Sequence, residues 1–350
     1  MPANSLTLSY DALLSTTLFN YRKTIEDNIS KSNAIIYFLM KKNDNYKKID
    51  DIGDRMQVPL MYELGQADSY SGYDILDTSP MDGITSAFWE WRQASVPIAI
   101  SSLEEKKNSG EARIIALLEA KTKQAEMGIQ EFFNKRLLVG AGGSSITTAY
   151  TSPVNGSTFI DPLPLLIKTD PSTTAVGTLD PAVHTWWRNQ FQDADTGTTF
   201  ALFLKVLRQL RLKCGRGPGG MPDLHLTDEN VYTLYETALA AAHQNPSYER
   251  ADIPFENIMF HKAPVTYDEI LPNWDGGSET VSTTAGTWVM INSKFFEIKV
   301  HSGTDFAPTP FQKPENQDAK VAHILWLGGI GMSNRRKHGV AFDIDTTITS

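Results

Sequence analysis

The feature that most constrains this chain is a proline-free stretch from 101 to 138. Ile114, Leu118, Ala125, Ile129 and Phe132–Phe133 recur there at spacings of three, four and seven, the period of one helical face. Glu111, Arg113, Lys121, Lys123 and Lys135 flank that stripe. Ser101 and Ser102 each precede a glutamate by three residues (Glu104 and Glu105), so either pair predicts a capping box at the start. Gly110 marks an irregular entry. A helix of about 30–37 residues is about 45–55 Å long at 1.5 Å per residue. Helices in globular domains average about 11–12 residues, so this one predicts a scaffold member.

Just before it lie two extended runs. In 54–63, DRMQVPLMYE, the side chains Met56, Val58, Leu60 and Tyr62 share one face, which is the period of a strand. In 84–100, Trp89 and Trp91 share one face and Phe88, Glu90 and Arg92 the other. Pro59 and Pro97 cannot donate to a ladder, so each run is expected to keep an unpaired side. The stretch 65–83 between them is polar and turn-rich. Together they predict a long β-hairpin with a loose tip. A lone two-stranded hairpin is marginal in water; it needs another surface, such as a second copy of the chain.

Elsewhere the pattern is mixed. Residues 8–42 read as helix, ending in the basic run KKNDNYKK. Residues 139–180 read as loops and short strands, with STFIDPLPLLIK a candidate strand. Helices are expected at 181–192, 198–213 and 227–242, the last capped by Thr227. Residues 287–301 and 338–348 read as strands, and 321–328 as a strand ending in a glycine-rich turn. Strands and helices without regular alternation predict an α+β class.

Composition narrows the function classes. The chain has 350 residues, 41% hydrophobic, with net charge −9, which disfavours gripping nucleic acid by a broad basic surface. Its one cysteine, Cys214, excludes an internal disulfide, zinc ribbons and CxxC redox chemistry. No apolar run of about 18 residues predicts a transmembrane helix, and the N-terminus lacks the layout of a signal peptide. A soluble intracellular protein is the expectation.

Chemical motifs are weak. DIDTTI at 343–348 has the Asp–x–Asp–x–Thr pattern of haloacid-dehalogenase-type phosphatases, with Asp343 as nucleophile and Asp345 as proton handler beside magnesium. Only five residues follow Asp345, too few for the rest of such a fold. LVGAGGSS at 138–145 follows a helix and lacks the third glycine of a dinucleotide loop. GRGPGG at 215–220 lacks the GK[ST] ending of a phosphate loop. The seven histidines include no i, i+4 pair. Neither tryptophan pair, Trp89/Trp91 or Trp186/Trp187, lies in a basic groove, so both read as core or interface. No catalytic residue, cofactor or metal is expected.

Five regions carry a resemblance: GDRMQVPLMYE, WEWRQASVPIAISSLEEKKNSGEARIIALLEAK, MPDLHLTDENVYTLYE, IPFENIMFHKAPVTYDE with GTWVMINSKFFEIKVH, and FQKPENQDAKVAHILWLGGIGMSNRRKHGV. Together they resemble the major capsid proteins of tailed bacteriophages, which have the HK-ninety-seven-like (Johnson) fold. The resemblance implies an N-terminal arm at 1–48 and an extended hairpin (E-loop) at 49–100 lying over a neighbouring subunit. It implies a P-domain at 101–179 with its spine helix at 101–138, and an A-domain at 180–255. Residues 256–350 return to the P-domain sheet and C-terminal strands. The arm starts near Met1, so a separate scaffold is expected, or none; no Lys, Asn and Glu trio matches the cross-linking of the founding member.

The implied function is structural. Copies assemble into hexamers and pentamers of an icosahedral head in the virion. They enclose double-stranded DNA without sequence-specific binding, beside portal, scaffold and decoration proteins and no membrane. An acidic inner wall would limit sticking during packaging. Arg55, Glu63, Glu90 and Arg92 are the candidate polar contacts between subunits, because charges on an exposed hairpin can set register. Trp89 and Trp91 are the candidate aromatic contacts beside them. The alternatives are an encapsulin-like compartment around a cargo protein and, from a different class, the phosphatase.

Overall fold

The structure is a computed structural model. It describes residues 45–50, 53–63, 67–75, 82–107, 111–138, 160–194, 199–241, 258–271 and 285–348. The helix expected over 8–42 and the loop 139–145 lie outside them.

In chain order the strands begin with β1 (Tyr46–Ile49), β2 (Met56–Met61), β3 (Ile84–Trp89) and β4 (Arg92–Ser101). Helices α1 (Ser102–Lys107), α2 (Glu111–Leu138) and the single turn α3 (Leu163–Leu166) follow. Then come β5 (Gln190–Asp193), α4 (Phe200–Gly215), β6 (Leu224–Thr227) and α5 (Glu229–Ala241). The chain continues through β7 (Ile258–Phe260), β8 (Ala263–Tyr267), β9 (Ala285–Ile291) and β10 (Phe296–His301). It ends with β11 (Ala307–Pro308), β12 (Ala319–Met332) and β13 (Gly339–Asp345). Among the described residues no helix is long and apolar enough to cross a membrane.

The chain divides into two compact units. The described residues of the first lie within Ala94–Phe132 and Thr304–Trp326. Here the capping box forms at Ser101: its Oγ accepts from Glu104 N–H, and Glu104 Oε2 accepts from Ser101 N–H, both at 3.2 Å. Ser102 serves elsewhere, donating to Asp318 Oδ1 at 2.8 Å. Lys121 Nζ ties α2 back to Ala99 O and Glu104. Ala125 and Ile129, on the expected stripe, are buried.

The second unit comprises Ser32–Gln93, Phe133–Gly303 and Leu327–Ser350. Its centre is a six-stranded sheet in the order β5-β13-β9-β6-β8-β7. Helices α4 and α5 bury Phe203, Leu207, Leu210, Val231 and Tyr235 in one core with Trp288 of β9. Asp228 Oδ1 accepts from Thr287 N–H and Oδ2 from Val231 N–H, so Asp228 caps α5; Thr227, the expected cap, lies in β6. A Cβ at Gly286 would sit 2.7 Å from Asp228 Oδ1, so the cap needs glycine there.

Three expectations are corrected. The helix expected at 181–192 is a 3-10 turn, Thr185–Trp187, followed by β5, whose parallel partner β13 lies about 150 residues away in sequence. The candidate strand in STFIDPLPLLIK is α3 within its described part, started by Pro162 and Pro164, whose fixed φ suits a first helical turn. The glycine-rich turn after 328 is continuous strand: β12 runs through Gly328, Gly329 and Gly331, and β10 pairs with all three.

Candidate assembly surface

The hairpin joins β2 and β3 antiparallel, from Met56↔Trp89 at its base to Met61↔Ile84 toward its tip. Met56, Val58 and Leu60 of one strand, with Ala87 and Trp89 of the other, are buried as the alternation predicts. Their support is the glycine run of β12. A Cβ at Gly329 would stand 2.5 Å from Met56 Cε, and Gly331 lies beneath Val58 and Trp89. Gly177 supplies the other wall: its O accepts from Phe88 N–H at 3.0 Å, and a Cβ there would strike Trp89 at 2.9 Å. Glycine is required at 329 and 177 because there the hairpin lies directly on backbone, whereas a Cβ at Gly331 would meet Val58 and Trp89 at an ordinary 3.6 Å.

The tip differs. Met61, Tyr70, Tyr73, Ile75 and Ile84 are 68–104% exposed, and Tyr62 is 37% exposed. These six are nearly half of the thirteen exposed large apolar side chains among the described residues, gathered in 24 positions. Apolar clustering of this kind marks an interaction surface. Tyr62 also stacks on Trp186, ring centroids 5.3 Å apart, which anchors the tip at its root. The sequence pattern alone marks this loop only as polar and turn-rich. The available signal was two tyrosines and an isoleucine, Tyr70, Tyr73 and Ile75, inside it.

The predicted contact residues have different surroundings. Arg55 and Glu90 form a half-exposed ion pair with each other, 3.4 Å apart across the hairpin base. Trp91 is half-buried and donates from Nε1 to Gly53 O at 3.0 Å. Trp89 is 3% exposed and faces Trp187, so its ring is occupied by its own chain. Glu63 is exposed at the start of the tip. Arg92, half-buried, acts on Asp161. Burial pushes the Asp161 carboxyl up to about 6 and Glu90 adds to the rise, while Arg92 opposes it.

The chemical motifs have structural employment. The 215–220 loop wraps the buried Lys337, whose Nζ donates to Gly215 O, Arg216 O, Gly217 O and Gly220 O at 2.9–3.5 Å. Those contacts present carbonyls to a cation, the opposite of the N–H cradle that holds phosphate. Arg335, fully buried, donates to Leu166 O, Trp187 O and Asn189 Oδ1, and desolvation brings it down to about 9. In DIDTTI, Asp343 sits at φ +54° within a register shift of β13. Asp345 Oδ1 accepts from Thr347 N–H and Oγ1–H. Burial raises the Cys214 thiol to about 12, which leaves it unreactive. No group of three or more metal-ligating side chains occurs among the described residues.

No family model and no curated protein matches the sequence. Solved structures do match over nearly the whole chain. A capsid asymmetric unit of cyanophage A-1(L) is similar at TM-score 0.65 and 13% identity, covering 92% of this chain and 95% of that one. An encapsulin complex from Synechococcus elongatus is similar at TM-score 0.60 and 9% identity, covering 96% of each. A chain of Mycobacterium phage Bobi is similar at TM-score 0.53 and 12% identity, covering 94% and 97%. The chain has the α+β, HK-ninety-seven-like fold of phage capsid shells.

Proposed function

We propose that this chain is a major capsid protein of a tailed bacteriophage. Copies assemble as hexamers and pentamers into a closed icosahedral shell around double-stranded DNA, in the virion. One observation carries the reading: a hairpin whose base is fixed in its own chain holds out an apolar tip that its own described residues leave uncovered. A shell gives that tip a cover, the next subunit. Closed shells reuse one chain through repeated contacts of this kind. Arg55, Glu90, Trp91 and Arg92 at the hairpin's base, and Glu63 at the start of its tip, set the register of the contact. A portal and a separate scaffold complete the assembly, and contact with DNA is enclosure and not sequence reading.

Deleting 66–82 tests this. The variant subunits stay soluble and folded, and electron microscopy finds no closed shells. Normal shells from that variant would refute the hairpin's role. The similarity to an encapsulin supports a second reading, a compartment around a cargo protein. Extracting the contents of particles purified from the native source separates the two: DNA favours the capsid, and a single co-purifying protein favours the compartment.

A further inference from the structure

The second unit carries a groove of about 570 Å³ along β5, the edge strand of the six-stranded sheet. Its lining includes the exposed Phe191 and four cations, Arg188, Lys213, Arg216 and Arg336, against one carboxylate, Asp193. Among the described residues none of the four cations forms an ion pair. Arg188 Nε donates to Pro181 O and Lys213 Nζ to Gln192 Oε1, which hold those two side chains in place. Arg216 and Arg336 are exposed.

The hairpin tip has the complementary character. Between 63 and 83 the sequence has five carboxylates, Glu63, Asp68, Asp74, Asp77 and Asp82, and no lysine or arginine. Glu63, Asp68, Asp74 and Asp82 are exposed, alongside Tyr70, Tyr73 and Ile75. An acidic segment with apolar anchors fits a basic groove that also exposes Phe191: the charges steer and select, and the apolar side chains bury area.

We infer that this groove receives the hairpin tip of a second copy of the chain. Phe191 meets the tyrosines, and the tip's carboxylates meet Arg216 and Arg336. This rests on the shell reading and names the surface on which the hairpin lands.

Two full-length variants test it. In the first, Phe191→Cys with Tyr73→Cys is oxidised within assembled particles; the native Cys214 is buried and unreactive. Covalent multimers on a non-reducing gel are expected, absent from either single variant. A species of single-chain size alone overturns the inference. In the second, Arg216→Glu with Arg336→Glu raises the concentration needed for assembly at least about tenfold, and high salt does the same to the wild type. Adding Asp74→Lys and Asp82→Lys restores assembly to within about threefold. Lack of rescue, with the protein folded by circular dichroism, overturns the inference. So does a groove variant that assembles normally but no longer retains duplex DNA. Wild-type particles without the cross-link refute the groove alone; no wild-type particles refute the shell reading itself.

Discussion

Trp288 in β9 and Tyr73 in the hairpin tip are both large aromatic side chains in one unit, with opposite surroundings. Trp288 is fully buried, ringed by Phe203, His225, Tyr235 and Phe260 at centroid distances of 5.1–6.5 Å. Tyr73 is fully exposed, and Ile75 nearby is 98% exposed. Even the charges of the sheet region are enclosed, Arg335 and Lys337 by carbonyls of their own chain. The difference separates two tasks. The sheet region encloses its aromatic and charged side chains and so stabilises the subunit; the exposed tip is the part that the shell reading assigns to a neighbouring copy.

The sharpest break in that comparison comes from Arg335→Ala. It removes the side-chain donor to Leu166 O and Trp187 O and one of the two donors to Asn189 Oδ1, which keeps Lys168 N–H at 3.0 Å, and is expected to cost about 3–5 kcal/mol in chemical denaturation of the subunit. A loss below about 1 kcal/mol would show that the interior network is not what holds the sheet region together.

Acid comes next. His225 and His338 are buried, and desolvation holds both down to about 3. Each accepts at Nδ1, from Trp288 Nε1–H and Asn292 N–H. The unfolded chain binds their protons near the ordinary value of about 6.5, so their contribution is complete above that pH and is lost as pH falls toward 3. By pH 4.5 each is expected to cost about 2–3 kcal/mol. Stability measured from pH 7 to 4.5 should fall steeply, and a flat profile contradicts the burial.

Asp161 runs the other way. Its carboxyl is raised by burial to about 6, so its favourable contribution is complete below the unfolded value of 3.8 and gone as pH rises through about 6. Asp161→Asn is therefore expected to stabilise the subunit at neutral pH by about 1 kcal/mol, allowing for partial exposure. Thermal melts of the two proteins at pH 7 and pH 5 check it, with the gap closing at the lower pH.

The smallest stability effect belongs to the tip. Tyr73→Ser with Ile75→Ser is expected to move subunit stability by less than about 0.5 kcal/mol, since neither side chain is buried. Assembly should fail nonetheless. A matching loss of subunit stability in denaturation would erase the contrast between the regions.

Much of this architecture was legible in the chain because it is local. The Ser101–Glu104 box, the Met56–Val58–Leu60 alternation and the stripe of α2 each depend on neighbours a few residues away. Long-range packing defeated the rest. Gly328, Gly329 and Gly331 look like a turn in one dimension; in three they lie within β12, where Gly329 and Gly331 leave room for Met56 and Trp89. Trp186–Trp187 read as helix because β5's partner β13 is distant in sequence. For the candidate surface, the hairpin was readable, but the burial of Trp89 and the exposure of Tyr73 were not. Whether an aromatic is covered depends on which distant segment arrives over it.

Electron microscopy of the purified full-length chain tests the central claim most directly. Closed particles of uniform size, built from rings of this one protein, are the predicted result. Monomers and small oligomers alone, across protein concentration and ionic strength, would contradict it.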